Sequence, residues 1–388
     1  MLRLADVIRR HGPAYLERHG SAMMPGHVSA VQAIQHCRTP EMGGHLADCG
    51  QCGYQHLFYH SCRHRACPQC GYDTTTRWLE AQRERLLPVP YFHVVFTLPA
   101  ELRRLVRSHQ KALLPALFRA AFEALAELCA DPKRLGAQVG ALAVLHTWTR
   151  TLEWHPHVHL LVPGGGLAPD GRTWVPARRL RDGKAYLVPV KALSKLFRGR
   201  FLALARRALP GVELPDIPWS KRWVVFAKPT VQGAPAVLEY LGRYVHKTAI
   251  TDGALVGMSD DTVSFRYRDS RDQRKKTMSL PAPEFLRRFL QHVLPKGLHR
   301  VRTFGLLHPA RRTVLRQLQL LLAPRAPSGT DAPERTGPAR EPAVRCPRCG
   351  STTLRRGRRL SREECATFAA TSAVQDERAR APPETASR

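Results

Sequence analysis

Acidic residues are in short supply. The chain of 388 residues carries 31 Asp and Glu against 61 Lys and Arg, a formal net charge of +30 spread along the sequence rather than confined to a tail. Such a deficit implies a polyanionic partner bound with strong salt dependence, and nucleic acid is the leading one. No apolar run reaches membrane-spanning length and no signal-peptide pattern opens the chain, so we expect a cytoplasmic, nucleoid-associated protein without membrane contact or small-molecule substrate. A Gly-x4-Gly-Lys-Ser/Thr motif is also missing. Gly164-Gly165-Gly166 therefore reads as a flexible loop leaving a strand, and any unwinding of DNA falls to a separate host helicase.

Cysteine, in contrast, is concentrated: six of ten lie between Cys37 and Cys70. In a basic intracellular chain this reads as a metal cage rather than a disulfide framework. Cys49-x2-Cys52 and, within Cys62-x4-Cys67-x2-Cys70, Cys67-x2-Cys70 are two knuckles that each put two thiolates on one tetrahedral ion, and glycines at 50, 53 and 71 ease the turns. Six cysteines exceed the need of one ion; with His45 and His60 as the preferred extra ligands they suffice for two zinc ions. Cys129 closes an apolar helical pattern and is read as core. Beyond Pro324 the composition shifts to Pro, Ala, Arg, Ser and Thr, which cannot bury a core, so residues 324–388 are expected to be disordered. Cys346-Pro-Arg-Cys349 within them is half of a zinc ribbon. Only Cys365 follows, with no histidine after His308, so no stable metal site is expected there.

His155-Pro-His-Val-His159 organises the rest. Side chains alternate along a strand, so His157 and His159 share one face while Val158, Leu160 and Val162 form the apolar other. Two adjacent imidazoles are half a metal site; the plain alternative is a half-buried strand that happens to carry histidines. Residues 139–148 read as the preceding strand of a hairpin turning near 152, which brings His146 opposite residue 158 or thereabouts. His146 is the nominated third ligand, provided the register puts it on the same face. Glu153, His155 and His93 are the substitutes.

Residues 234–249 read as a helix with Val237, Leu241 and Val245 as its buried stripe. Tyr240 and Tyr244 lie beside it, one turn apart, each followed three residues on by a cation, Arg243 and Lys247. They are either tyrosines at a core edge or nucleophiles. A phenolate attacks a phosphodiester if a metal polarises the phosphate oxygen and nearby cations steady the transition state. The exchange of one phosphoester for another stores the bond for rejoining, and two tyrosines permit two successive transfers.

These residues together resemble the HUH-class single-strand nucleases, and within them the rolling-circle insertion-sequence transposases of the IS91 type. The resemblance covers most of residues 30–320. It rests on the cysteine-rich module, Phe96-Thr97-Leu98-Pro99, Leu145-His146-Thr147-Trp148 with His155 to His159, Tyr240-Leu-Gly-Arg-Tyr-Val-His-Lys247 and Gly305-Leu-Leu-His-Pro309. It implies that His157 and His159 bind a catalytic Mg²⁺ or Mn²⁺, and that Tyr240 and Tyr244 are the nucleophile pair. The implied activity is cleavage and rejoining of single-stranded DNA at element ends, and at target DNA, through a 5′-phosphotyrosine. A replication initiator or relaxase shares this chemistry; a zinc-containing DNA-binding regulator would lack it.

The fold expected is α+β, an antiparallel sheet flanked by helices behind a small zinc-binding domain. Residues 1–88 hold short helices limited by Pro13 and Pro25, then the cysteine module and a helix over 71–87. Residues 89–323 form the catalytic domain: a strand at 91–98, a long amphipathic helix at 100–129, the histidine hairpin, a further hairpin at 173–188 and a strand at 223–227. A basic helix at 189–209 is positioned for DNA backbone contact through Lys191, Lys195, Arg198, Arg200, Arg206 and Arg207. After the tyrosine helix come strands at 262–268 and 275–280, a helix at 283–294, a strand at 299–306 and a basic helix at 309–322.

Overall fold

The computed structural model describes residues 2–218, 220–230, 248–269, 271–323 and 345–380. Two helices open the chain, α1 (Leu4–His19) and α2 (Pro25–Gln35). Pro25 occupies the first turn of α2, where its missing N–H costs nothing. Pro13 does not end α1 as expected: it sits on the exposed side, where the carbonyl it leaves without a donor faces water. A small hairpin follows, β1 (Gly44–Cys49) and β2 (Gln55–Tyr59), then α3 (Pro68–Arg83).

Next comes β3 (Tyr91–Thr97), and the expected long helix is two, α4 (Ala100–Ser108) and α5 (Gln110–Ala130). His109 breaks it, with φ −118° and ψ 44°. The hairpin of β4 (Gly140–Trp148) and β5 (Trp154–Pro163) forms as read from the alternation. Two short ladders follow, β6 (Gly165–Leu167) with β7 (Trp174–Pro176) and β8 (Arg178–Arg179) with β9 (Ala185–Tyr186). After α6 (Val190–Ala208) comes β10 (Val225–Pro229), and then the meander β11 (Leu255–Met258), β12 (Thr262–Arg268) and β13 (Lys275–Pro281). Before the tail come α7 (Ala282–Leu290), β14 (Val301–Gly305) and α8 (Arg312–Leu321).

The architecture is mixed α and β with antiparallel sheets flanked by helices. Its main sheet has the order β10-β3-β5-β4-β14, every neighbour antiparallel, so β5 is central. Val158, Leu160 and Val162 are fully buried with Phe96, Leu145, Phe118 and Phe197 in the core formed with α5 and α6. Each such side chain contributes roughly 1.5–3 kcal/mol of burial. The basic helix α6 thus turns Leu193, Phe197 and Phe201 inward. Arg198 on it is not a DNA contact: it is buried and donates to the carbonyls of Ile217 (2.7 Å) and Pro218 (3.0 Å). Lys191, Lys195, Arg206 and Arg207 remain exposed, and Arg200 pairs with Glu127 at 2.6 Å.

The tail corrects the expectation of disorder. Among residues 345–380, β15 (Leu354–Leu360) pairs antiparallel with β1, and α9 (Arg362–Arg380) follows. The N-terminal hairpin therefore becomes a three-stranded sheet of order β15-β1-β2. Leu360 and Cys365 bury themselves with Leu46, Leu57 and Phe368. Composition failed here because the strand also finds apolar partners, Leu46 and Leu57, some 300 residues earlier in the chain.

Candidate active site and metal centres

The register of the β4–β5 hairpin decides which histidines meet. His146 lies directly opposite His157, and Val144 opposite His159. Opposed residues share a face, so all three imidazoles stand on the side away from the α5–α6 core. Their ligand nitrogens fall within 4.8 Å of one another. Ring centroids are 4.4 Å apart for His146 and His159 and 4.9 Å for His157 and His159. The opposed residue is 157 rather than 158: Trp148 faces Trp154, so the turn centres on residue 151, and the irregularity between His146 and Trp148 shifts the partner of His146 from 156 to 157, onto the shared face.

The surroundings orient these rings. His157 Nδ1–H donates to the His155 carbonyl at 2.7 Å, which leaves Nε2 as its lone-pair nitrogen. Burial, and then the charge of Arg103, lower the pKa of His157 against that hydrogen bond. His159 Nδ1 is hydrogen-bonded to His93 Nε2 at 2.8 Å, the two rings parallel. Burial foremost, with Lys228 and His157, holds His93 near 4. His93 thus supports a ligand; His155, also lowered to about 4 by burial, sits beside His157 with centroids 5.3 Å apart. Glu153 is exposed in the turn and outside the cluster.

The turn itself is held by residues that the sequence pattern did not single out. His292, just beyond α7, accepts from the Thr147 hydroxyl at 3.1 Å and donates to the Leu152 carbonyl at 3.1 Å. Gln291 donates to the same carbonyl at 2.7 Å, and the His292 ring stacks over Trp154. A lone histidine at a helix end carries no spacing signal, so only the packing reveals it.

Two further groups are made of sulfur alone. Cys37, Cys62, Cys67 and Cys70 converge, with Sγ–Sγ distances of 3.6 Å (37–70 and 62–70) and 3.7 Å (37–67). Cys49, Cys52, Cys346 and Cys349 form the other, at 3.6 Å (49–349) and 3.8 Å (52–346). A tetrahedron of thiolates about 2.3 Å from zinc has edges of about 3.8 Å, so both groups fit one Zn²⁺ each. The expectation that Cys346 and Cys349 lack the other half of a site is overturned, since that half is Cys49 and Cys52. The sequence did hold a signal: Cys49-x2-Cys52-Gly53 and Cys346-x2-Cys349-Gly350 are the same knuckle. In each, the glycine takes a positive φ (69° and 73°) and its N–H donates to the first cysteine's carbonyl, at 2.9 and 2.8 Å. The backbone N–H groups of Cys52 and Gln51, aimed at the Cys49 sulfur, lower its pKa to about 6 and so favour the thiolate. His45 and His60, the extra ligands expected, join neither group; they stack on each other at 5.8 Å.

Comparison with known proteins matches two segments of the chain. Residues 7–98 match the family described as transposase zinc-binding domain, and residues 140–314, which include all three clustered histidines, match the family described as putative transposase. The putative transposase y4qJ of Sinorhizobium fredii (strain NBRC 101917 / NGR234) is 41% identical over 353 residues, 85% of this chain and 87% of the relative. The chain belongs to the IS91-type transposase family. A second relative, the transposase for insertion sequence element IS801 of Pseudomonas savastanoi pv. phaseolicola, is 32% identical over 304 residues, covering 72% of this transposase and 70% of the relative. No solved structure matches. Cys346 and Cys349 fall outside both matched segments of the transposase, as does β15. Tyr240, Arg243, Tyr244 and Lys247 lie inside the second matched segment but outside the described residues. No helix among the described residues is long and apolar enough to cross a membrane.

Proposed function

We propose that this transposase cleaves and rejoins single-stranded DNA at its element's ends by metal-assisted tyrosine transesterification, in rolling-circle transposition. The observation that carries the reading is the convergence of His146, His157 and His159 on the central strand pair. Three converging imidazoles, with His157 fixed in tautomer, suit a divalent ion. Of the two ions expected, nitrogen donors favour Mn²⁺, the transition metal, over Mg²⁺. When bound, such an ion polarises a phosphate oxygen of the scissile bond.

Tyr240 and Tyr244 are the nucleophiles in this reading. The phenol oxygen bonds to phosphorus, the bond from phosphorus to the 3′ oxygen breaks, and the phenol proton ends on the departing 3′ hydroxyl. Lys247 and Arg243 ease loss of that proton and steady the charge on the phosphate. The 5′-phosphotyrosine keeps the energy of the bond, so rejoining needs no ATP; strand separation comes from a host helicase. Zinc serves the N-terminal module, which has two four-cysteine sites.

The test is a covalent adduct. Wild-type protein with Mn²⁺ and single-stranded oligonucleotides spanning the element ends should give a denaturation-resistant protein–DNA species. Tyr240→Phe or Tyr244→Phe should abolish it and assign the first nucleophile, while His157→Ala should lose it with DNA binding intact. Absence of any adduct from wild type on its own ends sinks the proposal.

A further inference from the structure

The three-stranded sheet β15-β1-β2 has two unlike faces. On one, Leu46, Leu57, Tyr59 and Leu360 pack against Cys365 and Phe368 of α9. On the other, the register aligns two cross-strand rows: Arg359, His45 and Phe58 in one, and Arg356, Ala47 and His56 in the next. The rings of this face form a continuous set. Centroids are 5.4 Å apart for His45 and Phe58, 4.4 Å for His56 and Phe58, and 6.3 Å for Tyr54 and His56. All four rings are half-buried, and Arg356 and Arg359 are exposed. Phe58 belongs to none of the hydrophobic clusters, so the row is not the edge of a core.

We propose that this face is a second DNA-binding surface, one that takes an unpaired strand: bases stack on Phe58, His56 and Tyr54 while Arg356 and Arg359 hold the phosphates. Phe58 is near-parallel to His45 (18°) and meets His56 edge-on (78°), so the row offers ring faces at more than one angle; it has no element that enters a duplex groove, yet gives an unstacked base a π-face to pack on. The arginines come from the tail and the rings from the N-terminal module. The Cys49–Cys52–Cys346–Cys349 site fastens the two together, so the surface exists only while that site is closed. This rests on DNA as the partner of a transposase, and not on the tyrosine chemistry.

Binding of the zinc-loaded full-length chain to a fluorescent oligo-dT strand, measured by anisotropy across a salt series, tests it. Removing two phosphate contacts by Arg356→Ala with Arg359→Ala should weaken binding roughly tenfold or more and reduce the slope of log K against log salt by about 1.4. Phe58→Ala should cost about 5- to 150-fold, with recovery in Phe58→Tyr, if one base stacks there. Cys346→Ser with Cys349→Ser should drop bound zinc from two ions per chain to one and reproduce the arginine loss. Unchanged affinity and slope in the arginine variant overturns the proposal. So does a result in which only duplex binding falls, since the occupant would then be double-stranded. The arginine variant should still form the covalent adduct at saturating DNA. Failure of this surface and failure of the tyrosine reading therefore show up in different variants.

Discussion

His292 offers a direct test of how the histidine hairpin is held. Its ring is buried, 4% exposed, and burial pushes its pKa down to about 3, against the Leu152 hydrogen bond that raises it. The folded state therefore keeps the ring neutral while the unfolded chain protonates it below its ordinary value of about 6.5. Protons then favour the unfolded state, so this group's contribution is fully present above about pH 6.5 and declines as the pH falls toward 3. Between pH 7 and pH 5 the loss is about 2 kcal/mol, one and a half units below the ordinary value at about 1.4 kcal/mol each. His292→Leu keeps the bulk, removes the titration and gives up the bonds to Thr147 and Leu152. At about 1 kcal/mol net per hydrogen bond, the variant should be about 2 kcal/mol less stable at pH 7. Urea unfolding of both proteins at the two pH values should then show that gap closing nearly to zero at pH 5. Parallel curves, with the gap unchanged, would refute the assignment of a neutral buried imidazole.

Three other outcomes follow from the geometry. Calorimetric titration with Mn²⁺ should show one site lost in His146→Ala, distinct from the zinc held by the cysteines, and the affinity of wild type should fall with pH as His157 protonates. Gly305 has φ +56° and a β-carbon there would meet the Val139 carbonyl at 2.1 Å, so Gly305→Ala should cost several kcal/mol and lower the thermal midpoint, more than an ordinary helix or strand glycine. Leu160→Ala, on the fully buried face of β5, should cost about 2–5 kcal/mol in chemical denaturation.

Much of the site was legible because its information is local. The alternation in His155 to His159 assigned the two faces of β5, and the short link to residues 139–148 brought His146 opposite. Register was the one quantity left to within a residue; the Trp148–Trp154 pair at the turn and the irregularity beside Thr147 together set it. What stayed hidden depends on long-range packing. His292 and Gln291 reach the turn across 140 and 139 positions of sequence. The interruption of the helix at His109 has no glycine or proline to announce it. Cys346 and Cys349 were judged against their own neighbourhood, where four ligands are indeed lacking; the repeat of Cys-x2-Cys-Gly pointed to the partner knuckle instead.

The shared cysteine site also sets an order of events during synthesis. Cys52 and Cys346 are 294 positions apart, and a ribosome adding about 5–20 residues per second needs roughly 15–60 s to cover that span. For that interval the five-stranded sheet is being made while the first knuckle holds only half a tetrahedron. A chain cut short anywhere before Cys346 never completes it, however well its five-stranded sheet folds. Closure of the second zinc site is in this sense a proofreading of length: only a polypeptide translated to its tail acquires the finished N-terminal module.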